Sequence, residues 1–146
     1  MILPDINLLI FAYNSEVEQH PKARRWWEET MSGNSTVCIP WAVIFGFIRL
    51  TTHRRVFSSP LRVSDALEIV SSWIECENVR ILEASPKHFA VFSSLLAKIG
   101  TGANMVTDTH LAALAIEHNL TLYSNDLDFS RFPGLRWKNP LNAQLS

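Results

Sequence analysis

At 146 residues the chain is long enough to close a hydrophobic core without disulfide or metal staples, and a single domain over 1–146 is expected. A hydrophobic fraction of 47% with 18% charged residues is that of a globular protein and excludes intrinsic disorder. The net charge of −1 excludes a global field drawing the chain to nucleic acid or lipid, so any such attraction has to come from a local patch. Cys38 and Cys76 fit no zinc spacing and read as buried, small apolar groups in a reducing compartment. The opening MILPDINLLIFAY is apolar, but Asp5 and Asn7 interrupt it, and no basic leader or small-residue cleavage site accompanies it. Neither a signal peptide nor a membrane span is expected, and the expected location is the cytoplasm.

Short β-type runs alternate with longer amphipathic stretches, the pattern of βα units around a parallel sheet. Met1 to Leu3 reads as the first strand, followed by a helix over Ile6 to Tyr13. His20 to Ser32 is a second helix: Ala23, Trp26, Trp27, Thr30 and Met31 step at helical spacing, and Gly33 ends it. Thr36 to Ile39 is the second strand. Pro40 opens a helix over Trp41 to Thr52 that is apolar nearly all round, so it is expected to be buried. Ser64 is expected to cap a helix from Asp65 to Cys76. Val79 to Leu82 is the third strand, with Pro86 starting a helix that Gly100 closes. After a loop over Thr101 to Val106, Thr107 reads as the N-cap of a helix running to His118. Leu120 to Ser124 is the fourth strand and Leu135 to Trp137 a short fifth.

The five aspartates and nine glutamates are distributed differently. Glu28, Glu29, Glu68, Glu75 and Glu117 lie on helix faces or at helix ends and read as solvated charges. The aspartates sit at element ends: Asp5 after the first strand, Asp108 opening a helix, Asp126 and Asp128 after the fourth strand, and Asp65 as a plain helix start. In an open parallel sheet, ligands gather outside the carboxyl ends of the strands, where Asp5 and the Asp126/Asp128 pair would emerge. Carboxylates converging in one cleft repel one another and lose solvent, and a hard divalent cation removes both costs. All-oxygen ligation points to Mg²⁺, with Mn²⁺ accepting the same ligands, and such an ion polarises a phosphoryl oxygen and lowers the pKa of a bound water. Phosphodiester or phosphomonoester hydrolysis is the expected reaction. No acid lies between Glu29 and Asp65, yet Arg49, Arg54, Arg55 and Arg62 do, a local basic block suited to a polyanionic backbone. Arg49, Arg54 and Arg55 are therefore candidates to hold such a backbone, while Asn7, Ser124 and Asn125 could orient a water or phosphate.

Three stretches resemble the PIN-domain ribonucleases, and within them the VapC-type toxins of bacterial toxin–antitoxin pairs. MILPDINLLIFAY resembles the family's first strand with its aspartate and D-x-N signature; PWAVIFGFIRLTTHRRVF resembles its middle helix. NMVTDTHLAALAIEHNLTLYSNDLDFSRFPGLRWKNP resembles its C-terminal half, with the D-x-H-L-A-A-L-A helix and the D-x-D-F turn. The resemblance implies an α/β/α sandwich on a mainly parallel sheet. It implies Mg²⁺- or Mn²⁺-dependent endoribonuclease activity, with RNA as the backbone that Arg49, Arg54 and Arg55 would hold. It also implies a homodimer and a small cognate antitoxin contacting the early helices and the active-site groove, with Trp26 and Trp27 available to it unless they pack in the core. Asp5, Asp108 and Asp126 match the family's metal-binding acids, and Asp128 a further acid often found nearby.

One position departs. The family commonly carries a glutamate in the middle helix; the aligned residue here is Gly46, with no acid within sixteen residues on either side. The alternative reading is thus a catalytically weakened PIN domain retained for RNA or partner binding. A receiver-type module, which also gathers aspartates, would need a second acid beside Asp5 and a lysine after the fourth strand; Ser124 to Phe129 has none.

Overall fold

The computed structural model describes residues 1–145, with side chains to residue 142. Five parallel strands form one sheet: β1 (Ile2–Pro4), β2 (Val37–Pro40), β3 (Val79–Leu82), β4 (Thr121–Tyr123) and β5 (Arg136–Lys138), in the order β3-β2-β1-β4-β5. Helices α1 (Ile6–Tyr13), α2 (His20–Ser32), α3 (Trp41–Thr51), α4 (Val63–Ile74), α5 (His88–Ile99) and α6 (Met105–Glu117) complete an α/β/α sandwich. None of them is long and apolar enough to cross a membrane.

The chain first runs outward from β1 to β2 and β3, then returns to place β4 on the other side of β1. The strand order reverses there, so the carboxyl ends of β1 and β4 flank the crevice where open α/β sheets bind ligands. Pro4 sharpens this edge. The amide of Ile2 donates to Thr36 of the β2 side, and that of Asp5 donates to Tyr123 of β4, so residue 4 would donate toward β2. Proline has no donor to offer. Pairing with β2 accordingly stops at Ile2↔Val37, whereas pairing with β4 continues through Pro4↔Tyr123.

The core is aromatic where α1 to α4 meet. Phe47 and Trp73 have ring centroids 4.6 Å apart, Tyr13 packs edge-on to Phe47 at 5.4 Å, and Trp27 edge-on to Trp73 at 5.6 Å. The Trp73 indole donates to the Tyr13 hydroxyl at 3.1 Å, so the buried polar tip is satisfied. Trp27 is a core residue as expected; Trp26 is only half-buried and stacks on Tyr123. On α6, Leu111 to Ala115 is buried without a break, and its three alanines let the helix lie close to its neighbours.

Several local expectations are corrected. The α3 helix is not buried all round: Val43, Ile44, Phe47 and Thr51 face the core, but Trp41 and Phe45 are 42% and 61% exposed and stack on each other. A stripe at four-residue spacing stays on one side of a helix, and here nothing among the described residues covers that side. Ser64 and Thr107 are not caps; α4 starts at Val63 and α6 at Met105, so both lie in the first helical turn, and neither Arg62 nor Asn104 makes a side-chain cap. Pro86 precedes α5 by two residues in a turn, and β4 and β5 differ from expectation by one residue at their ends.

Glu117 is the largest correction. Its side chain is only 3% exposed rather than solvated. It accepts from the amide of Ser85 at 2.9 Å and from Nδ1 of His88 at 2.8 Å, and Nε2 of His88 meets Nδ1 of His110 at 2.9 Å. A charge can be buried when it is hydrogen-bonded this fully. Burial, then the neighbouring His88, hold the His110 imidazole below its usual range. This network ties α5 to α6 close to the turn that carries Asp108.

Candidate active site

Asp5 is the N-cap of α1. Its backbone is extended (φ −78°, ψ 155°), and its Oδ1 accepts from the amide of Ile6 at 2.7 Å. Its Oδ2 accepts from the hydroxyl of Ser124 at 2.7 Å. The residue is 8% exposed, and burial raises its carboxyl from 3.8 to about 6. The hydrogen bonds from Ser124 and Ile6 work against that rise, and the charge of Asp126 adds to it.

Asp108, in the first turn of α6, is half-buried and likewise raised from 3.8 to about 6. Burial is the main cause, followed by repulsion from Asp5, Asp126 and Asp128. Asp126 caps the 3-10 turn Leu127–Arg131, its Oδ1 accepting from the amide of Asp128 at 2.9 Å. The chain after β4 thus curls back and presents two carboxylates together. Carboxylate oxygens of Asp108, Asp126 and Asp128 lie within 4.8 Å of one another. Asp5 is not part of that set; its two oxygens are held by Ile6 and Ser124, but its charge is felt at Asp108.

Ser124 is the keystone of the crevice. Fully buried, its Oγ donates to Asp5 and accepts from Asn7 Nδ2 at 3.3 Å and from the amide of Asp126 at 3.0 Å. Its carbonyl accepts from the Trp137 indole at 3.1 Å, anchoring β5 to the site. Of the three candidate positioning residues, Ser124 is therefore fully occupied with protein partners, and Asn125 Oδ1 accepts from Asn139 at 3.0 Å. Asn7 differs: its Oδ1 is buried and has no hydrogen-bond partner among the described residues. Replacing Ser124 by alanine strips Asp5 of a buried donor and leaves two donors without their acceptor. Ser124→Ala is expected to cost about 1–3 kcal/mol in urea unfolding and to raise the Asp5 carboxyl further; unchanged stability would mean these bonds are not held in solution.

These residues fit a hard divalent cation. The donors are all oxygens, two carboxyls are destabilised by burial and mutual repulsion, and the unpartnered Asn7 Oδ1 sits beside the Asp5–Ser124 pair. The expected basic residues make no hydrogen bond or ion pair with this cluster among the described residues. Arg49, Arg54 and Arg55 are exposed and make no ion pair among the described residues. Arg49 continues the exposed stripe of Trp41 and Phe45 on α3.

Gly46 is buried on α3, and a Cβ there would lie 2.6 Å from Cδ1 of Ile6. The tip of the Ile6 side chain, from the first residue of α1, reaches into the space a Cβ at 46 would take, so a larger residue there requires that side chain to turn aside. Sequence reasoning missed the Ser85–Glu117–His88–His110 network and the Trp137 and Asn139 anchors. Their partners are distant in sequence, and only the pairing of β4 with β5 brings the anchors near Asp126.

Comparison with known proteins agrees with this architecture. The PIN domain family matches residues 2–135. The chain is 40% identical over 141 residues to "Ribonuclease VapC33" of Mycobacterium tuberculosis, covering 97% of this chain and 99% of the relative. It is 36% identical over 140 residues to "Ribonuclease VapC37" of the same species, covering 96% and 97%. Among solved structures, the Mycobacterium tuberculosis VapC20 toxin, described as cleaving the sarcin-ricin loop, superposes with a TM-score of 0.68 at 19% identity over 93% of this chain and 99% of that one. VapBC2 of Rickettsia felis bound to promoter DNA gives 0.66 at 22% over 95% and 98%. With the family matched along nearly its whole length and near-full-length VapC relatives at this identity, the chain belongs to the PIN-domain family, among the VapC proteins.

Proposed function

We propose that the chain is a divalent-metal-dependent endoribonuclease acting as the toxin of a type II toxin–antitoxin pair. The observation that carries this reading is the meeting of Asp108, Asp126 and Asp128 within 4.8 Å at the strand edge, with Asp5 buried beside them. Asp5, Asp108 and Asp126, assisted by Asp128, would hold Mg²⁺ or Mn²⁺. Bound there, such an ion supplies positive charge for the phosphoryl oxygens and lowers the pKa of a water. Ser124 fixes the orientation of Asp5, and the unpartnered Oδ1 of Asn7 would accept a hydrogen bond from a water in the crevice. Arg49, Arg54 and Arg55 hold the RNA backbone from the α3 side.

A cognate antitoxin and a second copy of the chain are the partners of this reading; burying the exposed Trp41–Phe45 stack is the gain that a homodimer offers. The cytoplasm, where RNA is abundant and Cys38 and Cys76 remain thiols, is the location that goes with it. The weakened-domain alternative draws on Gly46, but three clustered carboxylates remain without that position. Incubating antitoxin-free protein with total RNA, with Mg²⁺ or Mn²⁺ and then with EDTA, tests the proposal. Cleavage at defined sites that EDTA abolishes is expected; cleavage that persists in EDTA overturns it.

A further inference from the structure

Beside the acidic crevice lies a second feature of different chemistry. A groove of about 450 Å³ runs between α2 and the carboxyl ends of β4 and β5. Lys22, Arg25 and Trp26 line it from α2, and Tyr123, Lys138 and Asn139 from the sheet edge. Trp26 and Tyr123 stack with centroids 5.6 Å apart and planes 23° from parallel, and both rings are half-buried, so each keeps some surface toward solvent. Lys22, Arg25 and Lys138 are exposed and make no ion pair among the described residues. Glu29 is the single acid of the lining.

The groove and the crevice share one wall. Tyr123 and Lys138 are neighbours in the β4–β5 register. Ser124, which follows Tyr123, holds Asp5, and Asn139, which follows Lys138, donates to Asn125, the residue before Asp126. Three residues of extended chain span about 10 Å, so Tyr123 lies no farther than that from Asp126 along the backbone. Arg49 lies on α3, which follows β2 on one side of β1, whereas this groove stands on the β5 side.

Three cations around an aromatic platform, in a chain of net charge −1, complement a single-stranded polyanion whose unstacked bases offer π-faces. We infer that this groove is a subsite for the single-stranded RNA flanking the scissile phosphate: a base packs against the Trp26–Tyr123 pair while Lys22, Arg25 and Lys138 take backbone phosphates. The inference rests on the reading of the acidic crevice as a nuclease site and extends it to a second region of the substrate. A duplex would not fit this chemistry, because its bases are already stacked on one another.

The test measures binding in EDTA, where nothing is cut. A fluorescent single-stranded oligoribonucleotide of about a dozen nucleotides is titrated by anisotropy at several salt concentrations. Lys22→Gln/Arg25→Gln/Lys138→Gln is expected to raise Kd about tenfold or more and to flatten the salt dependence by about 2, roughly 0.7 for each phosphate no longer neutralised. Trp26→Leu is expected to raise Kd about tenfold with little change in salt slope, since it removes stacking rather than charge. Asp108→Asn is expected to keep RNA binding while losing cleavage, which separates failure of the subsite from failure of the nuclease reading. Circular dichroism of each variant guards against misfolding, and the glutamine variant, altered only at exposed positions, keeps the test decisive if Trp26→Leu does not fold. An unchanged Kd and salt slope in the glutamine variant overturns the inference and returns the groove to a protein partner.

Discussion

Asp108→Asn is expected to abolish RNA cleavage, by on the order of 10²–10³-fold or more, while making the metal-free protein more stable at neutral pH. The carboxyl of Asp108 makes no hydrogen bond among the described residues, so the isosteric amide breaks none. What it removes is a charge that burial and three neighbouring carboxylates disfavour. A carboxyl raised from 3.8 to about 6 binds its proton more readily when folded than when unfolded. Below about pH 4 both states are protonated and the two proteins should be equally stable. Between pH 4 and 6 the wild type loses stability because the unfolded chain releases this proton while the folded carboxyl keeps it, and above 6 the loss is complete, on the order of 1–2 kcal/mol for a half-exposed group screened by solvent. Asp5, shifted for a similar reason, steepens the same decline in the wild type. Urea unfolding in EDTA at pH 4 and pH 7.5 reads the difference directly, and added Mn²⁺ should narrow it by stabilising the wild type. An Asp108→Asn protein that still cuts RNA, or that gains no stability at pH 7.5, would sink the picture of a cleft strained by its own acids.

The second large effect concerns the position where an acid is missing. Asp128→Ala is expected to lower cleavage on the order of 10–100-fold and to raise the metal concentration needed. Stability should barely move, because Asp128 is exposed and its backbone amide still donates to Asp126. The sensitivity arises because nothing on α3 can share the load. Gly46→Glu should not supply the missing carboxylate: its Cβ would need Ile6 Cδ1 to retreat from 2.6 Å, and the side chain would enter a buried position. A loss of roughly 1–3 kcal/mol is expected, partly recovered by Ile6→Ala, which opens the space. If Gly46→Glu with Ile6→Ala cut RNA while the wild type did not, the chain would be a binding module that had lost catalysis. Full activity of Asp128→Ala at low metal would remove that residue from the site.

Much of this was legible before any coordinates. The alternation of short β-type runs with amphipathic stretches foretold the order of the strands and helices, and the motifs around Asp5, Asp108 and Asp126 pointed to the family. Where expectation failed, the reason is physical. Helix starts at Val63 and Met105 have no side-chain cap, so the nearby Ser64 and Thr107 offered a false signal. The exposed stripe of α3 escaped notice because apolar periodicity reports which residues are greasy, not how many sides of a helix find a partner. Glu117 looked solvated because its partners, Ser85 and His88, come from another helix and its leading loop.

Sequence alone determined the element types, the place of Asp5 at the end of the first strand, and the residue chemistry of an all-oxygen site, because backbone preference and side-chain chemistry are local properties. Tertiary structure alone decided that Ser124 bonds Asp5 across 119 positions, that Asp128 joins Asp108 and Asp126, that Ile6 occupies the space beside Gly46, and that Lys22 and Arg25 share a groove with Lys138. The approach of Ile6 to Gly46 comes from α1 packing on α3, and the other pairings depend on how β4 docks between β1 and β5. Burial and charge repulsion act only between groups that folding has brought together.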